Sequence, residues 1–391
     1  MAALLAGAAW ACLVAWLIFR MLRQFAAHRA ASLDAAADVA SGPAPDVAII
    51  VPARNEAGNI TSCLAGLSGQ TGLGPGSTIT VVDDGSQDAT ALLVAGIAGH
   101  DRRIVLIEAG GLPPGWLGKS HACWRGACAS AAPWLCFVDA DVRAAPGLVQ
   151  AALAGAERLR LDMLSLHPFQ QLGSFWERLL IPAGLALIAC VKDLRPVDDP
   201  ASPEISANGQ FILIRRAAYF AVGGHRAVRG TVTEDTALAR LIKQSGRRYR
   251  MMFGEHLAHT RMYTDLASLW EGLSKNTADI LGSALGTVAI AAAAMIVAWS
   301  AVLLPALAGL IAARHPSAAA VAGFGLALSG SLAIFGVQVG TARHFRVPPA
   351  FGLLYPLAYS VLAILGWHSV WLRRDGRITW KGRTYRLGRK A

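Results

Sequence analysis

The sequence predicts an α/β protein, with a mainly parallel sheet in the middle and membrane-spanning α-helices at both ends. Three observations predict it. From Val47 onward, short apolar runs alternate with segments of helical length, as strands joined by helical crossovers do. Polar residues cluster at the ends of those runs. The chain is 54% apolar and only 16% charged, and the apolar excess lies at its two ends.

Ala2–Phe19 is uncharged and of roughly membrane-spanning length. A secretory leader carries its positive charge before the apolar stretch. Here Arg20, Arg23 and Arg29 follow it, which predicts a retained anchor whose next segment stays cytoplasmic. Ala30–Asp46, rich in Ala, Ser and Pro, reads as a linker. VAIIV (Val47–Val51) is then a strand, followed by a helix at Ile60–Ser68. TITVV (Thr78–Val82) is the next strand, with a helix over Ala89–Ala98. IVLIE (Ile104–Glu108) is a third strand, Ser120–Ala131 a helix, and LCFVD a fourth strand.

Beyond the fourth strand, Ser174–Lys192 is apolar but short for a span and contains Pro182. It reads as an interfacial or re-entrant segment, or as a buried helix. ANGQFILIRR (Ala207–Arg216) is a strand entered through a tight turn. Thr233–Gly246 is a helix with acidic residues in its first turn and Lys243 near its end, as the helix dipole favours. Leu266–Leu281 has the apolar spacing of a helix lying on a membrane surface. Three further apolar stretches cover Ser283–Ala312, Ala318–Val339 and Ala350–Leu372. The predicted organisation is an anchor at 1–20, a linker at 21–46, an α/β domain at 47–262, an interfacial helix at 263–282, about three spans at 283–372 and a basic tail at 373–391.

This topology contains a conflict. One anchor and three later spans place the C-terminus outside. The tail RRDGRITWKGRTYRLGRK is basic and favours the cytoplasm. Either one stretch does not span or the tail departs from the rule. The net charge of +11 lies largely at membrane flanks and in the tail, so anionic lipid is the expected partner. No nucleic-acid motif is present, and no obligate protein partner is evident. The six cysteines form no CxxC pair and are expected to be reduced thiols.

The chemistry sits at the strand ends. The first strand ends in PARNE (Pro52–Glu56), the second in DDGSQD (Asp83–Asp88) and the fourth in DAD (Asp139–Asp141). Ligands of such sheets bind at the carboxyl ends of the strands. Asp88 or Ser86 also suits a helix cap. Asp139 and Asp141, two apart on extended chain, point the same way. They suit a hard divalent cation, Mg²⁺ or Mn²⁺, whose shell phosphate oxygens and water complete.

VAIIVPARNEAGNI, TVVDDGSQDAT, FVDADV and TEDTALA, in this order, resemble the family 2 glycosyltransferases with a GT-A, Rossmann-like fold. The resemblance covers about Val47 to His259. GWLGKSHACWRGA, ANGQFILI, WEGLSKN and TWKGRTY resemble the membrane-anchored branch that includes hopene-associated and carotenoid glycosyltransferases. The resemblance implies that Pro52, Arg54 and Glu56 line a nucleotide-sugar pocket. It implies that Asp84, with Asp83 beside it, contacts the uracil or ribose. Asp139 and Asp141 would bind the metal and through it the diphosphate, and Lys119 a phosphate or the sugar. Asn208, Gly209 and Gln210 fall at the acceptor side, beside Glu234, and Asp235 is the implied general base.

The QxxRW block of processive members is absent, and WEGLSKN occupies its region. That favours one sugar transfer, from a UDP-sugar to a lipid acceptor of hopanoid or carotenoid type, with inversion. A glycerolipid, a polyprenyl phosphate or a polysaccharide is the alternative acceptor. The alternative of another class is an inactive sugar-nucleotide-binding scaffold. The expected location is the inner or plasma membrane, multi-pass, with the catalytic domain cytoplasmic.

Overall fold

The computed structural model describes residues 1–33, 44–193, 197, 199, 202–375, 377–380 and 383–386. Part of the expected linker, 34–43, and part of the basic tail, 376, 381–382 and 387–391, lie outside the described residues. The chain divides into a helical unit, of residues 1–27, 172–193 and 263–378, and an α/β unit, of residues 28–171, 194–262 and 379–391.

The α/β unit is built on a seven-stranded sheet. Its first strands are β1 (Val47–Ala53), β2 (Thr78–Asp83), β3 (Ile104–Glu108) and β4 (Trp134–Val138). The order is β3, β2, β1, β4, then Phe211–Arg215, Met163–His167 and Tyr249–Phe253. Neighbours from β3 to β4 run parallel, and Phe211–Arg215 is the one reversed strand between β4 and Met163–His167. The apolar runs are long because both faces of this sheet are covered. Val47, Ile49 and Val51 pack on one side with Ile60, Leu64 and Leu67. Ala48 and Ile50 pack on the other with Ala122, Cys123, Leu135 and Phe137. The chain leaves β1 toward β2 on one side and pairs with β4 on the other, so the switch point of the sheet lies between β1 and β4. A ligand crevice is expected outside the carboxyl ends there.

Most expected elements fall within a few residues of their places. The helix expected at Ser120–Ala131 runs over Gly118–Cys128. It ends at Cys128, and the Ala129 N–H still reaches the Arg125 carbonyl. The early start places Lys119 in its first turn.

The first helix, Ala2–Ala30, runs through the start of the helical unit and ends three residues into the α/β unit. Ser174–Lys192 forms a helix, Phe175–Val191, opened by a capping box between Ser174 and Glu177. Its Leu179, Leu180 and Ile181 are buried in one cluster with Trp10, Leu269 and Ala298. Leu266–Ile280 is likewise helical and begins with a capping box at Asp265 and Ser268. Small residues allow close crossings: a Cβ on Gly7 would meet the Gly323 carbonyl oxygen at 2.3 Å, the approach that glycine permits between membrane helices. Trp10 donates its indole N–H to Ser331 at 3.1 Å. Among the described residues three helices are long and apolar enough to cross a membrane: Ala2–Ala30, Ala284–Arg314 and Ala318–His344. The last apolar stretch forms two helices, Ala350–Leu353 and Tyr355–Asp375.

Candidate active site

The loops after β1 and β2 are laced together. Arg54, only 9% exposed, donates through Nη1 to the carbonyls of Asp84 and Gly85. Asn55 takes a left-handed φ of 52°. Its N–H donates to the Ser86 hydroxyl, and its side-chain oxygen accepts from the Gln87 N–H. Asp83 accepts from both the N–H and the hydroxyl of Ser86. Asp88 accepts the Thr90 N–H at 3.0 Å at the start of helix Thr90–Ala98. These bonds fix two of the three polar clusters as one rim, and Pro52 is the penultimate residue of β1.

Asp84 is almost fully buried. Its Oδ2 accepts from Arg383 Nη1 at 2.8 Å, while its Oδ1 is buried with no hydrogen-bond partner among the described residues. His121, also buried, leaves its Nδ1 in the same condition. Burial pushes the His121 pKa down, and Arg125 and Arg383 add to that against the pull of Asp84.

The third cluster closes on a cation. Lys119 Nζ lies 2.7 Å from Asp139 Oδ1 and 3.1 Å from Glu234 Oε1. Burial alone would lower the lysine pKa, but Asp139 and Glu234 outweigh it and hold the ammonium well above its ordinary value. Glu234 is in turn held below the usual glutamate range: burial raises it, and Lys119 outweighs that.

Asp235 follows at the N-terminus of helix Glu234–Gln244. Its Oδ2 accepts the Gly209 N–H at 2.8 Å and its Oδ1 the Thr236 N–H at 2.7 Å. Burial and the neighbouring Glu234 charge nevertheless raise it to about 6. A carboxylate poised there suits a general base near neutral pH. Glycine at 209 leaves room for this contact beside Lys119. A Cβ there would lie 3.0 Å from Lys119 Nζ and 3.4 Å from Asp235 Oδ2.

The structure therefore brings Lys119, Asp139, Glu234, Asp235 and Gly209 into one contact set. Asn208 and Gln210 turn elsewhere. They bond to each other, and Gln210 also bonds to Gln170 and Thr260. Glu56 accepts from Asn59, which also binds Arg143. Burial pushes the Cys63 thiol up, and the charges of Asp141, Glu56 and Asp139 push it further. An oxygen-only donor set of this kind fits a hard divalent cation, with Asp139 also compensated by Lys119. Sequence reasoning assigned no role to His121, Gln170 or Arg383. His121 and Arg383 lie inside the quoted GWLGKSHACWRGA and TWKGRTY blocks, which was the only signal.

Residues 48–183 match the family described as Glycosyl transferase family 2. The chain is 26% identical over 351 residues, 88% of each chain, to 4,4'-diaponeurosporenoate glycosyltransferase of Staphylococcus aureus strain MRSA252. The protein of that name from strain USA300 is 25% identical over the same length. Among solved structures, a mannosyltransferase from Pyrobaculum calidifontis in complex with GDP-Man and Mn²⁺ superposes with a TM-score of 0.50 at 16% identity. That superposition covers 95% of this chain and 99% of the other, and it bears on fold alone.

Proposed function

Since residues 48–183 are a glycosyl transferase family 2 domain on a GT-A fold and the chain is a glycosyltransferase, we propose that it moves one sugar from a UDP-linked donor to a hydroxylated or carboxylated isoprenoid lipid, with inversion. The observation that carries this reading is the contact set at the strand ends. A carboxylate raised to about 6 stands beside a lysine that bridges two further carboxylates.

Arg54 holds the loop that presents Asp84, and the nucleoside lies against that loop. Asp139 and Asp141 would hold a divalent metal, Mg²⁺ or Mn²⁺, which when bound offsets the charge of the departing diphosphate. Lys119 keeps Asp139 and Glu234 compensated in a site that is largely shielded from water. Gly209 and Thr236 orient Asp235 through their N–H groups. Asp235 takes the proton of an acceptor hydroxyl as that oxygen bonds to the anomeric carbon. The bond from that carbon to the diphosphate oxygen breaks, and the electron pair leaves with the nucleotide. Attack from the face opposite the leaving group inverts the centre.

A membrane-bound acceptor is supported by the three apolar helices and by the printed name of the Staphylococcus aureus relatives. Three crossings, one before the α/β unit and two after it, return the chain to the side where that unit lies. The ion pair of Arg383 with Asp84 supports that same side, as does the basic character of the tail. On this reading Tyr355–Asp375 does not cross.

Incubating the purified protein and Mn²⁺ with radiolabelled nucleotide sugars and a membrane lipid extract tests the proposal. Label passing from water into the organic phase with one donor is the expected result. Label that stays aqueous with every donor, while UDP still binds, would favour the inactive scaffold.

A further inference from the structure

We propose that Arg383, carried back from beyond the last apolar helix, is a nucleobase-binding residue that completes one subsite with Asp84 and His121. The inference rests on the reading that this rim binds a nucleoside diphosphate. Nothing in the mechanism above uses Arg383.

The alternative is a plain tail anchor, and the local geometry goes beyond what an anchor needs. The Asp84 side chain is 4% exposed and the Arg383 side chain 27% exposed, so the pair reaches from the rim toward its surface. Anchoring would require one oxygen of Asp84, and Oδ2 supplies it. The other oxygen, Oδ1, is buried with no hydrogen-bond partner among the described residues, and so is His121 Nδ1. His121 feels the charges of both Asp84 and Arg383. Buried polar atoms are rarely left without partners in a finished structure, and one on the ion pair itself, with a second on a side chain that feels its charges, points to a ligand.

The ligand chemistry follows from what is offered. Asp84 Oδ1 accepts and requires an N–H. Arg383 offers guanidinium N–H groups in a planar fork, which suits a carbonyl oxygen or the face of a base. An imide N–H beside a carbonyl is the edge that uracil presents, and cytosine lacks that N–H. The subsite also lies one strand away from β1, with Asp84 directly after β2, whereas Asp139, which Lys119 pairs, directly follows β4.

The test is calorimetric titration of the full-length protein in nanodiscs with Mn²⁺ and UDP, CDP or pyrophosphate, for wild type, Arg383→Ala and Arg383→Lys. Wild type should bind UDP more tightly than CDP. Arg383→Ala should lose about tenfold or more in UDP affinity, shrink the UDP-to-CDP ratio and keep its pyrophosphate affinity. Arg383→Lys should recover part of the loss. Unchanged UDP binding in both variants, or equal loss of UDP and pyrophosphate, would overturn the nucleobase role while leaving the proposed function standing. Wild type that binds none of the three ligands would overturn both. Thermal midpoints of the three proteins show whether each is folded, and if Arg383→Ala is not, Arg383→Lys against wild type decides.

Discussion

The backbone N–H of Gly209 donates to Asp235 Oδ2 across 2.8 Å, and a Cβ on Gly209 would stand 3.0 Å from Lys119 Nζ. One glycine thus sets the distance between the proposed base and the cation that balances the rim.

Gly209→Ala is therefore expected to push Lys119 or Asp235 aside by a few tenths of an ångström. Turnover should fall about 10- to 100-fold, as small misplacements of reacting groups do, while UDP affinity stays near wild type. Steady-state kinetics and titration together check this split. A variant with wild-type turnover would show that the contact is incidental.

Asp235→Asn keeps the shape of the site and removes the base. With a hydroxylated acceptor, transfer should fall by about 10²–10⁴-fold with nucleotide binding retained. The base must be ionised to act. Since its pKa is raised to about 6, wild-type kcat/KM should fall as the pH drops through about 6 and level off above it. A flat profile from pH 5 to 8 would remove Asp235 from that role. An ionised carboxylate acceptor needs no proton removed, so a small Asn effect on such a lipid would identify the acceptor class.

Lys119→Met leaves Asp139 and Glu234 without their shared cation. Breaking a largely buried pair costs about 3 kcal/mol, the low end of the usual range because the lysine is partly exposed. In wild type the Glu234 pKa is lowered, so its stabilisation is present above the ordinary glutamate pKa and is lost as the pH falls through the lowered value. The Lys119 pKa is raised, so its share is present below the ordinary lysine pKa and is lost as the pH climbs through the raised value. Denaturation followed at neutral and mildly acidic pH should show the variant's deficit shrinking as the carboxylates protonate. A deficit independent of pH would point to packing.

Asp141→Asn should abolish metal-dependent UDP binding, and a chelator should do the same to wild type reversibly. Titration in Mn²⁺, with and without chelator, checks both. Equal UDP affinity in wild type and the variant would exclude Asp141 as a metal ligand.

The sheet was legible because a parallel sheet covered on both faces must be written as uninterrupted apolar runs, and VAIIV, TITVV and WLCFV are such runs. The rim was legible because its three polar clusters each follow one of them. The contacts that organise the site were not. Lys119 and Asp139 are 20 residues apart across a crossover, and Gly209 meets Asp235 across 26. Nothing in local pattern fixes either distance. Arg383 lies 299 residues from Asp84, beyond the apolar stretches, where basic residues read most simply as a tail against lipid headgroups. The count of spans was ambiguous for a related reason: Tyr355–Asp375 has helical length, but Tyr355, His368 and Trp371 dilute its apolar character.

The central claim is a single sugar transfer to a lipid at this rim. Mass spectrometry of the lipid product, made with an isotope-labelled UDP-sugar by wild type and by Asp141→Asn, tests it most directly. The account expects one hexose increment on one lipid with wild type and none with the variant. A ladder of increments, or the same product from Asp141→Asn, would contradict it.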